Sequence, residues 1–222
     1  MKINEVSTAD IYEIEGDEHI MTSIETPMTT NAFDLSEEAK MEIIEKHFAE
    51  IMNTLGLDLN DDSLKGTPHR VAKMFVKEIF NGLDPKNKPK MSVFANKFHY
   101  NKMLIEQDIS FNSTCEHHFL PIVGKAHVAY ISSGKVIGLS KLNRIVDYFA
   151  RRPQVQERMT KQIHEELKAV LDTDSVMIVI NAEHLCVSSR GIQDRTSSTT
   201  TVEYSGAFEQ KEYRDDFYEL LK

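Results

Sequence analysis

Between positions 84 and 90 the stretch DPKNKPK separates two hydrophobic periods, and this switch limits the possible folds more than any other feature of the sequence. Before it, apolar residues recur at helical spacing. DLSEEAKMEIIEKHFAEIMNTLGLD opens with a capping box at Ser36 and acidic residues in the first turn. Ile43, Ile44, Phe48, Ile51, Met52 and Leu55 then share one stripe, and Gly56 marks the stop. TPHRVAKMFVKEIFNGL predicts a second helix, in which Thr67 can cap, Pro68 suits the first helical position, and Val71, Met74, Phe75, Ile79 and Phe80 make the buried stripe. After the breaker the pattern alternates. MLIEQDISFNST and KAHVAYISSGKVIGL predict strands, the second broken by a Ser-Ser-Gly turn. SKLNRIVDYFARR and PQVQERMTKQIHEELKAVLD return to helical spacing, with Pro153 between them at a first-turn position. SVMIVINAEHLCVSS and TSSTTTVEYSGAF resume β-branched character before a short charged C-terminal helix, QKEYRDDFYELL. Helix pair, strands, two helices, strands: that order implies an α+β fold with helices packed on one face of a largely antiparallel sheet.

The same pattern divides the chain into an acidic, poorly ordered leader over 1–34, a helical region over 35–90 and a main domain over 91–222. A net charge of -9 without any Lys/Arg-dense run argues against a general binder of nucleic acid or anionic membrane. No apolar stretch has the length of a membrane span, and the N-terminus is acidic where an export signal is basic, so the expected location is the cytosol. Its two cysteines are then reduced thiols, free to bind metal.

Both cysteines have histidine neighbours. NSTCEHHFLP holds Cys115, Glu116, His117 and His118, and AEHLCVSSRG holds His184 and Cys186. Zinc takes thiolate and imidazole ligands, and a catalytic zinc uses three of them with a fourth position left for water. In a straight strand, His184 and Cys186 would share a face, as would Cys115 and His117, whereas Cys115 and His118 meet only if the segment turns. Spacing alone leaves open which of the adjacent histidines binds and which moves protons. The bland alternative is a satisfied core histidine with inert thiols.

Between the two half-sites, Lys141, Arg144, Arg151, Arg152, Arg158 and Lys161 concentrate positive charge, which alone would read as a solvated basic face. Ser140 has the character of a helix N-cap, and a lysine in that helix's first turn has the wrong sign for the dipole unless it is there to meet an anion. Arg190 and Arg195 follow Cys186, and an arginine fork beside the pocket suits phosphate oxygens. Glu157 can accept two parallel hydrogen bonds from a planar heterocycle, although by default it is an exposed helix residue.

The segments DDSLKGTPHRVAKMF, STCEHHFLPIVGKAHVAYI, VIGLSKLNRIVDYFARRPQVQERMT and AEHLCVSSRGIQDRTSSTTT resemble the GTP cyclohydrolase I family, from about residue 40 to the C-terminus. The resemblance implies a tunnelling-fold subunit, with 91–222 as its catalytic domain, in a toroidal homodecamer whose active sites lie at subunit interfaces. It also implies the reaction of GTP with water to 7,8-dihydroneopterin triphosphate and formate, the entry step to pterins and folate. By that likeness Cys115, His118 and Cys186 bind Zn2+, while His117 and His184 transfer protons and Ser140 assists the sugar rearrangement. Lys141, Arg144 and Arg190, with Arg70 from a neighbouring subunit, match the triphosphate-binding positions. Glu157 matches the guanine-recognising carboxylate, supported by Gln156 and by backbone around Leu139 and Val155. Two alternatives remain beside this reading: another tunnelling-fold enzyme acting on a pterin or deazaguanine, and a zinc-stapled, purine-nucleotide-binding oligomeric module without turnover.

Overall fold

The structure, a computed structural model, describes residues 23–222; the first 22 positions of the leader lie outside them. Helix α1, Glu37–Thr54, begins where the capping box predicts, with Ser36 Oγ accepting from Ala39 N at 3.2 Å, and it ends before Gly56 at φ 81°. Helix α2, Thr67–Met74, is capped by Gly66 rather than by Thr67, which lies inside the helix beside Pro68. The predicted second helix does not run straight on. Phe75–Ile79 widens into a π-helical turn closed by Phe80 N donating to Phe75 O at 3.1 Å, and this brings Phe75 and Phe80 together with ring centroids 5.3 Å apart.

A five-stranded sheet forms the body. β1 (Val93–Ala95) pairs with β4 (Lys135–Ile137) as a separate ribbon, while β2 (Met103–Cys115), β3 (Pro121–Ile131), β5 (Pro153–Gln154), β6 (Val176–His184) and β7 (Thr199–Tyr204) form the sheet in the order β5-β2-β3-β6-β7. All pairings are antiparallel except the short parallel β2–β5 contact. Gly124 of β3 has a packing reason: a Cβ there would meet Asn181 O of β6 at 2.3 Å.

Helices α3 (Leu139–Ala150) and α4 (Gln156–Leu171) cover one face, where Leu142, Ile145, Val146, Met159, Ile163 and Leu167 bury against Phe111, Val128, Ile178 and Ile180. The α+β architecture is thus as the sequence order implies, with one addition. The opposite face is also covered in part, because α6 (Lys211–Leu220) and the 3-10 turn before it bring Phe217 and Phe208 against Ala129, Met177 and Val179. Being covered on both faces, β6 reads as a continuous apolar run, VMIVI, instead of an alternating one.

Two further helix starts differ from expectation. Gly138 is the N-cap of α3, so Ser140 is its second helical residue and caps nothing. Pro153 sits in β5 and not in a first turn, because α4 begins only at Gln156 after Val155. The helical region docks on α3 through Gly82, whose N donates to Arg151 O at 3.0 Å and whose Cβ, if present, would meet Tyr148 O at 2.1 Å.

Candidate active site

The sheet register brings the two cysteines together. Ser113 of β2 pairs with Ile122 of β3, and Ile122 pairs with His184 of β6, so one row crosses three strands. β2 and β6, each antiparallel to β3, run toward the same end. Cys115 and Cys186 each lie two residues beyond that row. β5 runs alongside β2, with Cys115 paired to Gln154, and delivers the start of α4 to the same end.

The CEHH segment does turn, as a meeting of Cys115 with anything beyond the strand requires. Phe119 N donates to Cys115 O at 2.9 Å and Cys115 N to Leu120 O at 2.8 Å, with Phe119 at φ 54°. Cys115 is 5% exposed, while His117 and His118 stand at the surface. The second half-site departs from the sequence reading. β6 ends at His184, and Cys186 lies in a single helical turn, α5 (Leu185–Ser188), so the two do not share a strand face.

The thiols of Cys115 and Cys186 lie near enough for Cys115 to act on the ionisation of Cys186, and both are free. Burial pushes the Cys186 thiol above its ordinary value, Cys115 adds to the effect, and Arg190 opposes it weakly. Cys115 Sγ is 3.8 Å from His117 Nδ1. His118 Nε2 accepts from Arg190 Nη1 at 2.6 Å. Among the described residues no three His, Cys, Asp or Glu side chains converge closely enough to hold a metal ion as they stand. The donor chemistry nevertheless fits zinc: two unbridged thiols, one buried and one half-buried, lie near each other, and His118, whose imidazole is exposed, turns toward Arg190.

On the other side of the thiols, His184 Nε2 is 2.8 Å from Gln156 Oε1. Burial lowers the His184 pKa, and the neighbouring Glu157 charge works against that shift. Glu157 stands exposed in the first turn of α4, next to the fully buried Gln156. Cys115, His117, His118, Cys186 and Arg190 therefore form one linked group, and Gln156, Glu157 and His184 form a second at the same end of the sheet.

The remaining expected residues are not joined to either group by any hydrogen bond or ion pair among the described residues. Leu139, Ser140, Lys141 and Arg144 occupy the first two turns of α3, with Leu139, Ser140 and Arg144 exposed, and Val155 is the half-buried N-cap of α4. Arg70 lies on α2, donating to Ser63 O at 3.3 Å and to Thr67 Oγ1 at 3.1 Å.

One ion pair escaped the sequence reading. Arg158, with a side chain 2% exposed, directs Nη1 and Nη2 to the Glu116 carboxylate and donates from Nε to Ser23 O at 2.8 Å. It clamps the CEHH turn onto α4. The signal was present, since an arginine directly before Met159 in a helix buried on most sides needs a carboxylate partner.

A mainly antiparallel sheet with helices on one face, carrying both cysteines and their histidine neighbours just beyond the ends of β2 and β6 and an acidic residue at the start of the adjoining helix, defines a class of α+β proteins. Within that class the chain belongs to the GTP cyclohydrolase I family, whose model matches residues 44–222. It is 54% identical to GTP cyclohydrolase 1 of Flavobacterium johnsoniae over 98% of this chain and 97% of that protein. It is 56% identical to the protein of the same name from Aeromonas salmonicida over 90% and 91% of the two chains, and likewise 56% identical to that of Vibrio parahaemolyticus over 83% and 84%.

Proposed function

We propose that this chain is an enzyme that opens the purine ring of GTP at C8 with water and yields 7,8-dihydroneopterin triphosphate and formate, the first step toward tetrahydrofolate and other pterins. The observation that carries the reading is the approach of Cys115 and Cys186 at the end of the sheet where His184, Gln156 and Glu157 also meet one another, in a chain of this family. Cys115, Cys186 and His118 would hold Zn2+, His118 by turning from Arg190. When bound, the ion supplies Lewis-acid activation of water at neutral pH.

The chain's own residues do the rest. Glu157 holds the N1–H and 2-amino group of guanine; adenine has neither donor and would leave the carboxylate unpaired. The backbone at Gln156, Leu139 and Val155 supports the base. Lys141, Arg144 and Arg190 hold the triphosphate, with Arg70 supplied by a neighbouring subunit. His117 and His184 move protons at the purine, and Ser140 assists the ribose rearrangement.

The same reading makes the subunit a tunnelling fold in a toroidal homodecamer, with 91–222 as the catalytic domain, 35–90 as the helical region and 1–34 as a leader. Oligomerisation is supported by large apolar side chains that a single chain leaves bare, Phe98 at 95% and Ile192 at 81% exposure among them. No helix among the described residues is long and apolar enough to cross a membrane. A cytosolic location would keep both thiols reduced.

The test is incubation of the purified protein with GTP, with assays for formate and, after mild oxidation, for neopterin fluorescence, beside a sample stripped by a chelator. Both products, lost on chelation and restored by zinc, are expected. Intact GTP on a protein that keeps stoichiometric zinc would overturn the reaction and leave a zinc-stapled nucleotide-binding module.

A further inference from the structure

We infer that Gln156 is a positioning residue that fixes His184 as the tautomer protonated on Nε2. Gln156 is 1% exposed, and its side-chain nitrogen faces three oxygens: Ile180 O at 3.1 Å, Thr199 O at 3.0 Å and Thr201 Oγ1 at 3.0 Å. Two of these are backbone carbonyls, which only accept. The end of the amide that faces them must therefore be the NH2 group, because the flipped amide would set Oε1 against two buried carbonyl oxygens.

The hydroxyls around it agree. Thr160 Oγ1 donates to Gln156 O at 2.8 Å, so in the 2.7 Å contact between Thr160 and Thr201 the proton comes from Thr201. The Thr201 oxygen is then left to accept from the Gln156 amide. The two amide hydrogens are shared among three acceptors, and every heavy atom in this buried network has a fixed donor or acceptor role. Gln156 Oε1, fixed as an acceptor, faces His184 Nε2 at 2.8 Å, and the imidazole must supply the hydrogen.

Two consequences follow from the fixed proton. His184 Nε2 has no lone pair to offer a metal ion or a substrate, and Nδ1, which has no hydrogen-bond partner among the described residues, is the ring nitrogen left with one. The Gln156 side chain is also fully engaged within the protein, so a contact from this residue to a base would have to come from its backbone. The inference deepens the proposed reaction and rests on it only in assigning His184 to proton transfer with substrate; the tautomer stands on the network alone.

The experiment uses the full-length, zinc-loaded protein carrying ring-15N histidine, studied by solid-state NMR, with the His184 signals identified by their loss in His184→Gln. In the wild type, His184 should show a protonated Nε2 and an unprotonated Nδ1. Gln156→Met, similar in length but without the acceptor, should give a mixture of tautomers. In the formate assay it should lower kcat by roughly 10- to 100-fold while leaving KM for GTP within about twofold, as expected of a residue that orients a proton-transfer group. A wild-type spectrum with the proton on Nδ1, an unchanged tautomer in Gln156→Met, or a rise in KM without loss of kcat would each overturn the inference. Should Gln156→Met fail to fold, the wild-type spectrum still decides. Because the spectrum needs no turnover, wild-type protein that releases no formate yet shows Nε2–H would refute the proposed reaction and leave the tautomer standing.

Discussion

At the scale of single residues, the adjacent histidines of the CEHH turn pose a problem that neither spacing nor geometry decides. His117 Nδ1 lies 3.8 Å from Cys115 Sγ, whereas His118 is hydrogen-bonded to Arg190. In the proposed site the two separate cleanly by experiment. Cys115→Ser, Cys186→Ser and His118→Ala should each lose bound zinc along with turnover, because a hydroxyl or methyl cannot replace a soft thiolate or imidazole ligand. His117→Ala should keep most of its zinc and lose about 10²-fold or more in kcat, the range of a general acid–base group. Zinc content by elemental analysis decides, and equal metal loss in His117→Ala and His118→Ala would reverse their assignments. The candidate ligands stand out in the sequence because both of its cysteines lie beside histidines. The Glu116–Arg158 pair does not, since Glu116 stands among more conspicuous neighbours and its partner lies 42 positions away.

At the scale of elements, periodicity located the helices and strands, while their ends depended on contacts that periodicity does not contain. Ser140 has a capping side chain, yet Gly138 enters α3 from the β1–β4 ribbon in extended conformation and takes the cap position. Pro153 suits a first helical turn, yet pairing with Thr114 claims it for β5. Cys186 follows a β-branched run, yet the strand ends with the last register pair, at His184, and the chain coils. The last two of these departures lie at the end of the sheet that carries Cys115, whereas the start of α3 lies at the other end, where Asn143 bonds Glu106 of β2. The Glu116–Arg158 clamp joins two of these elements, the CEHH turn and α4, and its energetics can be tested. Arg158→Ala leaves the Glu116 carboxylate without its cation at a 22% exposed position and should destabilise the fold by about 3–5 kcal/mol in denaturant unfolding. The double variant Glu116→Leu/Arg158→Met, which removes both charges, should recover most of that loss. If it proves as unstable as Arg158→Ala, packing and the Ser23 hydrogen bond, rather than the uncompensated charge, account for the cost.

At the scale of the whole molecule, the predicted stripe of α1 exists, but the chain does not cover it. Only Met52 of that helix is buried, while Ile43 is 45%, Ile51 52% and Leu55 72% exposed. Beside them opens an apolar groove of about 460 Å³, lined by Ile44, Phe48, Ile51, Phe75, Phe80 and Phe119. Phe119 immediately follows the CEHH turn, and its ring lies 5.2 Å from that of Phe80, so whatever covers the groove also bears on the site. The proposed homo-oligomer accounts for this surface with a second copy of the chain. Sedimentation velocity should then give a species several times the 25.4 kDa of one chain, in the presence or absence of chelator, since a zinc bound for catalysis comes out without dissolving the fold. Ile51→Asp separates the alternatives. In an isolated subunit a charge at a half-exposed helix position changes stability by only about ±0.5 kcal/mol, but in an interface it must be desolvated without a partner. The variant should therefore sediment as smaller species, with far-UV circular dichroism intact. It should also lose formate release even with zinc present, because Arg70 from the neighbouring subunit no longer reaches the triphosphate. Wild-type protein that sediments at 25.4 kDa and turns over GTP would show that one chain completes the site alone, and would return Arg70 to its local contacts with Ser63 and Thr67.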